Sequence, residues 1–531
     1  MGNAAAMNVM IFSAALITHR KNAVQTARII AVPMQESNLW IKPQKTAILF
    51  PNKNRDICSR KEVSSLEQER YGRTVRPFGI RDKLGYLFGD FGNDFTFILS
   101  SSFLLKFYTD VMGVSGAVVG VVMMISRFVD AFTDVAMGRI CDRSPQTRAG
   151  KFRPWILRMC VPVALSSFLI YQSALAGRSL AFKIGWLGVT YILWGSFFYT
   201  AINIPYGSMA SSISPEPDDR QSLSTYRSLG GTLAGLVIGA VVPLLAYDQL
   251  EGNAVMNGPR FTLIAGIFSV LAVVCYLLCY WLTAERVRTK PNPSGERHGV
   301  LDMLRSAVQN RALISIIAAS VVMLLAQLTM QSMANYVYPN FYGSTVAQSA
   351  STVTMLVGML IAAAVAKPLA ARFGKAEVSA ASNALASGVC LLLYFLRPAN
   401  VWVYVALNGL NWLGLGVFSM VSWALITDVI DDAELRNGVR EDGSVYALYS
   451  FARKLGQAAA AGLSGALLTA IGYSQETAFR PEVVNGLYDI ASLVPAVGFG
   501  ALAAILRFWY PLQKRQVEAN VAELKRQHGE L

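Results

Sequence analysis

The sequence predicts an all-α membrane protein of twelve transmembrane helices arranged as two halves of six. Three observations predict it. Of 531 residues, 53% are hydrophobic and only 15% charged, against about 25% charged in a soluble domain. Apolar runs of spanning length recur twelve times from Leu84 onward, each long enough to cross roughly 30 Å of hydrocarbon as a helix. A polar stretch with Pro291, Pro293, Ser294 and Gly295 then divides those runs six and six.

The runs lie near 84–108, 114–138, 154–176, 184–211, 223–247, 262–284, 311–338, 346–370, 377–396, 401–428, 444–471 and 485–510. Helices are the expected spanning form, because a helix satisfies its own backbone and the strict alternation of barrel strands is missing. The expected organisation is a cytoplasmic, disordered N-terminal extension over 1–77, a six-helix half over 78–284, a cytoplasmic linker over 285–310, a second half over 311–511, and a cytoplasmic tail over 512–531. The apolar stretch from Ala4 to Thr18 is followed by His19, Arg20 and Lys21, the wrong order for a signal peptide.

The formal charge of +14 is concentrated outside the apolar body: residues 1–83 hold 14 Lys/Arg against 6 Asp/Glu, with no nucleic-acid module. Basic residues beside alternate loops, among them Arg139, Arg143, Arg148, Lys151, Arg153, Arg286, Lys367, Arg372 and Lys375, place both termini and the linker in the cytoplasm by the positive-inside rule. The location expected is the plasma membrane, or the inner membrane of a Gram-negative bacterium. Cys160, Cys275, Cys279 and Cys390 sit in apolar runs without His or carboxylate companions, and read as small core residues. No nucleophile–base pair, metal cluster or phosphate-binding loop marks an enzyme, and no resident cofactor is expected.

A parallel repeat crosses the linker. Tyr226-Arg227-Ser228-Leu229-Gly230 aligns with Ala452-Arg453-Lys454-Leu455-Gly456, and Ala234/Ala460 and Gly239/Gly465 continue in register. Two homologous six-helix halves around a midplane cavity are the architecture of major facilitator transporters.

Ionisable groups inside a bilayer cost roughly 2.5–3.5 kcal/mol each on insertion scales, so they mark transport pathways. Span 2 carries Arg127, Asp130 and Asp134 on one helix face. Paired carboxylates suit a small cation, whose hydration shell their oxygens replace, and a proton equally well. The alternative is an Arg127–Asp130 pair that only staples helices; the functional reading rests on Asp134 lacking a partner. Span 1 adds Asp94, span 4 a polar face of Tyr199, Thr200 and Asn203 ahead of Pro205, span 5 Arg227, and span 11 Arg453 and Lys454. For Arg227 the alternative is snorkelling to headgroups; for Asn203 it is an interhelical hydrogen bond. His19, His298 and His528 all lie outside the spans, so a proton relay would run on Asp. The loop from Asp142 to Trp155 could lock the two halves together at one membrane face, or serve only as topogenic charge.

Four motifs in order carry a resemblance: Arg127-Phe128-Val129-Asp130-Ala131-Phe132-Thr133-Asp134; Gly150-Lys151-Phe152-Arg153-Pro154-Trp155; Asn203-Ile204-Pro205-Tyr206-Gly207-Ser208-Met209; and Glu441-Asp442-Gly443 through Ser450-Phe451-Ala452-Arg453-Lys454-Leu455-Gly456-Gln457. Together, over residues 78–511, they resemble the glycoside–pentoside–hexuronide:cation symporters, which include the melibiose carriers. The resemblance implies a cation site from Asp130, Asp134 and Thr200, with Thr133 where melibiose carriers have Asn, a change that weighs against a fixed Na⁺ preference. It implies a sugar site at Asp94, Asn203 and Arg227, with Lys454 near both sites. Asn93, Asn203 and Gly207 replace a Lys, an Asp and a Trp, and weigh against galactosides. The motif forms are closer to the glucuronide and pentoside branch.

The function expected is symport of a sugar with a monovalent cation, Na⁺ or H⁺, by alternating access. Asp94, Asn203 and Arg227 would hold hydroxyls by hydrogen bonds, and Trp194 and Tyr199 would stack on a pyranose face. The alternative is a lysolipid or other amphiphile carrier on the same fold.

Overall fold

The computed structural model describes residues 76–250, 253–287, 310–437 and 442–527. The N-terminal extension up to Val75, the linker from 288 to 309 and the Glu441 end of the fourth motif lie outside the described residues. The twelve expected spans are twelve helices: α1 Ile80–Asp110, α2 Gly116–Arg143, α3 Arg153–Ile170, α4 Leu180–Ile213, α5 Pro217–Leu245, α6 Gly258–Leu282, α7 Arg311–Phe341, α8 Thr345–Phe373, α9 Lys375–Leu396, α10 Val401–Asn437, α11 Asp442–Ala470 and α12 Pro481–Trp509. Ten are plainly apolar enough to cross a membrane. The other two, α1 and α11, carry the charges discussed below, Asp90, Asp94, Lys106 and Asp110 on one and Arg453 and Lys454 on the other.

Local signals set the helix starts. Ser179, Asn257, Asn310 and Ser344 each accept a hydrogen bond from the backbone N–H three residues on, the N-cap role of short polar side chains. Pro217 and Pro481 open α5 and α12 at the first helical position, where the missing N–H costs nothing.

Two elements go beyond what the sequence predicts. A short antiparallel hairpin, β1 Tyr247–Leu250 with β2 Asn253–Met256, joins α5 to α6. The C-terminal stretch, which reads as a tail in the sequence, forms α13 Lys514–Gln527, steadied by the Lys514–Glu518 pair, with Asn520 donating to Asp432 on α10 at 3.1 Å.

At the end where the linker joins the halves, here the linker end, a glutamate ties the third helix of each half to the chain past the sixth, from opposite sides in the two halves. Glu285, just past α6, accepts from the backbone N–H groups of Lys151, Phe152 and Arg153 at 2.8–2.9 Å, filling the N-terminus of α3. Gly150 precedes them at φ +117°, a conformation that side chains other than glycine's rarely adopt, and a Cβ there would strike Glu285. In the second half Glu377, in the first turn of α9, accepts from Lys514 N–H past α12 at 2.7 Å, beside Gly374 at φ +103°. The sequence raises the charge-rich α2–α3 loop as a lock between halves. In this conformation Lys151 and Arg153 bind Asp142 and Tyr280 carbonyls and so tie their own half together.

The repeat seen in the sequence has a packing cause. A Cβ on Gly230 of α5 would meet the α1 backbone at Leu87, and one on Gly456 of α11 would meet Val321 and Leu324 of α7. The two glycines let equivalent helices approach equivalent neighbours. Gly239 faces Thr352 of α8, and Gly465 lies against Gly116 of α2. These are the two seams between halves, built from small residues that let backbones approach.

Both seams sit at the far end, opposite the linker. There Ser349 donates to Ala240 O at 2.7 Å, Ala117 N–H to Thr469 at 2.8 Å, and Asn335 to Ser102 O at 2.7 Å. Lys106 is buried in the same layer. Its ammonium meets Asp110 at 2.7 Å, donates to Asn340 Oδ1 at 2.7 Å and Tyr473 Oη at 3.0 Å, and lies 4.4 Å over the Tyr336 ring. A carboxylate, two polar acceptors and an aromatic face offset the loss of hydration. Apart from one contact described below, every hydrogen bond that joins the halves among the described residues is in this far layer. The apolar core of the first half also crosses here, to Tyr336, Leu468, Tyr473 and Tyr488. Exposed Phe132, Phe395 and Phe508 face outward, as lipid contact requires.

Gly465→Ala drives a methyl into the Gly116 carbonyl and is expected to cost about 1–3 kcal/mol, the usual range for overpacking. Gly138→Ala, whose methyl meets nothing within 4 Å, is expected to be neutral. Thermal unfolding of the detergent-solubilised variants checks the contrast.

Candidate functional site

The polar residues of the first half converge between α1, α2, α4 and α5, and the local backbone of α4 explains how. Its middle, Leu193–Tyr199, is π-helical, and Pro205 further on supplies no N–H. The wider turn brings Ser196 and Thr200 round toward α2.

Asp130 and Asp134 both reach that surface. Asp130 takes Arg127 at 3.2 Å on one oxygen and the Ser196 hydroxyl at 2.5 Å on the other. Asp134 accepts from Thr200 at 3.0 Å, and its second oxygen is paired with the ammonium of Lys454 on α11. The expectation that Asp134 lacks a partner is therefore overturned. An unpaired carboxylate within the membrane-spanning helices is costly, and the second half supplies the partner that a view of span 2 alone cannot reveal. The Arg127–Asp130 pair, the stapling alternative, forms as well; Arg127 also lies 5.0 Å over the Phe97 ring. Among the described residues, Lys454–Asp134 is the one polar contact between halves away from the far seams. Thr133 adds no bond to this cluster: its hydroxyl donates to the carbonyls of Val129 and Asp130 within its own helix.

Asp94 lies one helical turn from Asp90 on α1, and both carboxylates face Gly231 of α5, where a Cβ would come within 2.5 Å and 3.0 Å of them. Arg227 does not snorkel. Its Nε donates to Asp90 at 3.0 Å and its guanidinium lies 5.2 Å over Tyr206. Asn203 accepts from Asn93 at 3.4 Å, and Asn93 in turn accepts from Tyr276 at 2.8 Å. The interhelical bond weighed for Asn203 is thus present, in a relay through α4, α1 and α6. Tyr199 is half-buried and stacks on Phe97, centroids 5.5 Å apart. Trp194, expected to meet a pyranose, is fully buried between Tyr191 and Tyr199; the π-helical turn points it into the core. Arg453 lies against the Tyr449 ring.

Sequence reasoning missed Asp90, Ser196 and the Lys106–Asp110 pair. The last pair and the Asp90–Asp94 spacing are visible as i,i+4 ionisable residues in span 1. Ser196 has no such signal, since only the π-helical turn brings it to Asp130. Between this cluster and the far seam is a cavity of about 340 Å³. Arg127 and Phe97 link it to the acids, while Asp94, Asn203 and Asp134 sit closer to the linker end and do not line it.

A double-mutant cycle on unfolding free energy tests the bridge between halves. Lys454→Met and Asp134→Asn are expected to be non-additive by about 0.5–1 kcal/mol. The low end applies because the Lys454 side chain is 41% exposed and solvent screens the pair.

Comparison with known proteins identifies the family and the fold. A family model described as MFS/sugar transport protein matches residues 85–514. The glucuronide carrier protein homolog of Escherichia coli is 29% identical over 449 residues, 84% of this chain and 95% of that one. The isoprimeverose transporter of Lactiplantibacillus pentosus is 30% identical over 452 residues, 85% and 92% of the two chains. Among solved structures, a bacterial homolog of the human lysosomal transporter Spinster, inward-facing and unoccupied, matches with a TM-score of 0.56 at 12% identity, over 84% of this chain and 97% of that one. That likeness in fold is consistent with the family model, and the two together give the major facilitator fold. With the family model covering residues 85–514 and these relatives aligned over most of their length, the chain belongs to the glycoside–pentoside–hexuronide:cation symporter family of sugar transport proteins.

Proposed function

We propose that the protein couples Na⁺ or H⁺ entry to uptake of a glycoside, pentoside or hexuronide by alternating access. The observation that carries this reading is the bridge from Asp134 to Lys454. Here a protein ammonium and the Thr200 hydroxyl satisfy the acid. A sodium ion or proton arriving at Asp130 and Asp134 competes with Lys454 and Arg127, and releases the tie between halves that lies outside the far seams. Neutralising the acids this way makes cation binding a signal that both halves receive.

The sugar is held from the first half by Asp94, Asn203 and Arg227, with Tyr199 as an aromatic face. These groups offer charge-assisted bonds to hydroxyls. Because each ligand favours the same arrangement of the halves, each tightens the other by the same factor. The named relatives support a glucuronide or a pentose-containing glycoside as cargo. Basic residues at the linker end support a plasma-membrane protein with that end and both termini in the cytoplasm, inner-membrane in a Gram-negative cell. The far seam then faces outside, and the conformation described is inward-open.

Uptake into proteoliposomes, with Na⁺ and H⁺ gradients imposed separately, tests the coupling. Asp130→Asn and Asp134→Asn are each expected to lower gradient-driven accumulation at least about tenfold, the loss of roughly 1.4 kcal/mol of coupling. Accumulation at the wild-type level in both variants would rule out the coupling assignment. Orientation is read by C-terminal fusions: green fluorescent protein is expected to fluoresce and alkaline phosphatase to be inactive, and the reverse pattern inverts the topology.

A further inference from the structure

The cavity beneath the far seam has two unlike walls. Among the described residues Arg127 is the one ionisable side chain that lines it, and it stands on the first half. The wall from α7, α8, α10 and α11 carries, among the described residues, five carboxamides, Gln331, Asn335, Gln348, Asn408 and Gln457, and no ionisable side chain.

One part of that wall is committed to the protein itself. Asn335 donates to the Ser102 carbonyl across the seam at 2.7 Å, and its own oxygen accepts from Gln348 Nε2 at 2.7 Å. That arrangement fixes the Gln348 amide and leaves its Oε1 with no partner, although the residue is only 4% exposed. Buried acceptors are nearly always satisfied, so an oriented, unsatisfied one on a cavity wall marks a place where something else donates. Gln331 and Gln457 flank it, half-buried, and their side chains hydrogen-bond no other group among the described residues.

We propose that this wall is a second substrate subsite, specific for uncharged hydroxyl groups, with Gln348 Oε1 accepting from one hydroxyl and Gln331 and Gln457 contacting its neighbours. The inference rests on the transport reading and deepens it by naming what the second half recognises. A carboxamide offers a donor and an acceptor, as a hydroxyl does, so a row of them matches a polyol without regard to charge. A carboxylate on the substrate finds no counter-charge on this wall and is directed toward Arg127. Because Asn335 joins Gln348 to Ser102, a hydroxyl bound at Gln348 is also two hydrogen bonds from the seam that must part for the far side to open.

Calorimetric titration of the purified protein in lipid nanodiscs tests the subsite, with a panel of glucuronides, pentosides and α- and β-glycosides that includes p-nitrophenyl β-D-glucuronide and isoprimeverose. For a sugar that wild type binds, Gln348→Met is expected to weaken affinity about tenfold, equivalent to about 1.4 kcal/mol. Gln331→Ala and Gln457→Ala are each expected to weaken it about threefold, and they read the same wall should Gln348→Met fail to fold. Wild-type affinity in every folded variant would overturn the subsite while leaving the transport reading intact. A wild-type protein that binds no sugar in the panel would overturn the transport reading and the subsite together.

Discussion

A charge surrounded by hydrocarbon is costly unless it is partnered, and that constraint organises most of the intramembrane charges of this molecule. Asp90 meets Arg227, Asp130 meets Arg127, Asp134 meets Lys454 and Lys106 meets Asp110. Where the partner stands on the same half, the pair is a fixed part of the scaffold. Where it stands on the other half, as Lys454 does, satisfying the charge and holding the halves together become one interaction. Anything that changes the charge of Asp134 therefore acts on the relation between halves, without any need for a long relay through the fold.

The far layer answers the same constraint differently. Lys106 is buried with Asp110 one turn away on its own helix, so the ion pair survives if the halves separate. Asn340, Tyr336 and Tyr473 add contacts across the interface. Around it, Gly116 against Gly465 and Gly239 against Thr352 bring backbones close without large side chains to disentangle. Small residues and exchangeable hydrogen bonds let the helices approach closely at these two contacts, beside the larger apolar contacts of Tyr336, Leu468 and Tyr473.

The pseudo-symmetry of the halves extends from helix order to particular residues. At the linker end each half ties its third helix to the chain just past its sixth through a glutamate, Glu285 after α6 in one and Glu377 on α9 in the other, beside Gly150 and Gly374. Gly230 and Gly456 each let a helix approach its neighbour. The chemistry is not symmetric: carboxylates and arginines gather in the first half, whereas the cavity wall of the second is amide-rich. Unequal loading of equal scaffolds gives a central space that can distinguish a charged ligand from a neutral one.

Periodicity and composition were enough to place all twelve helices, because a span needs a length and an apolar content that any window of sequence displays. The repeat was legible for a similar reason: Gly230/Gly456 and Gly239/Gly465 mark close approaches of helices, tightest at Gly230 and Gly465, where a Cβ would run into backbone. Asp130, Asp134, Asp94 and Arg227 stood out because charge inside an apolar run is rare. What the linear chain could not determine was who meets whom. That Lys454 reaches Asp134 across 320 residues, that Arg227 turns to Asp90, that a π-helical turn buries Trp194 and delivers Ser196, and that the α2–α3 loop binds within its own half all depend on helix rotation and on how two halves lean together. Those follow from packing distances and hydrogen-bond geometry, which come into being only when the helices assemble.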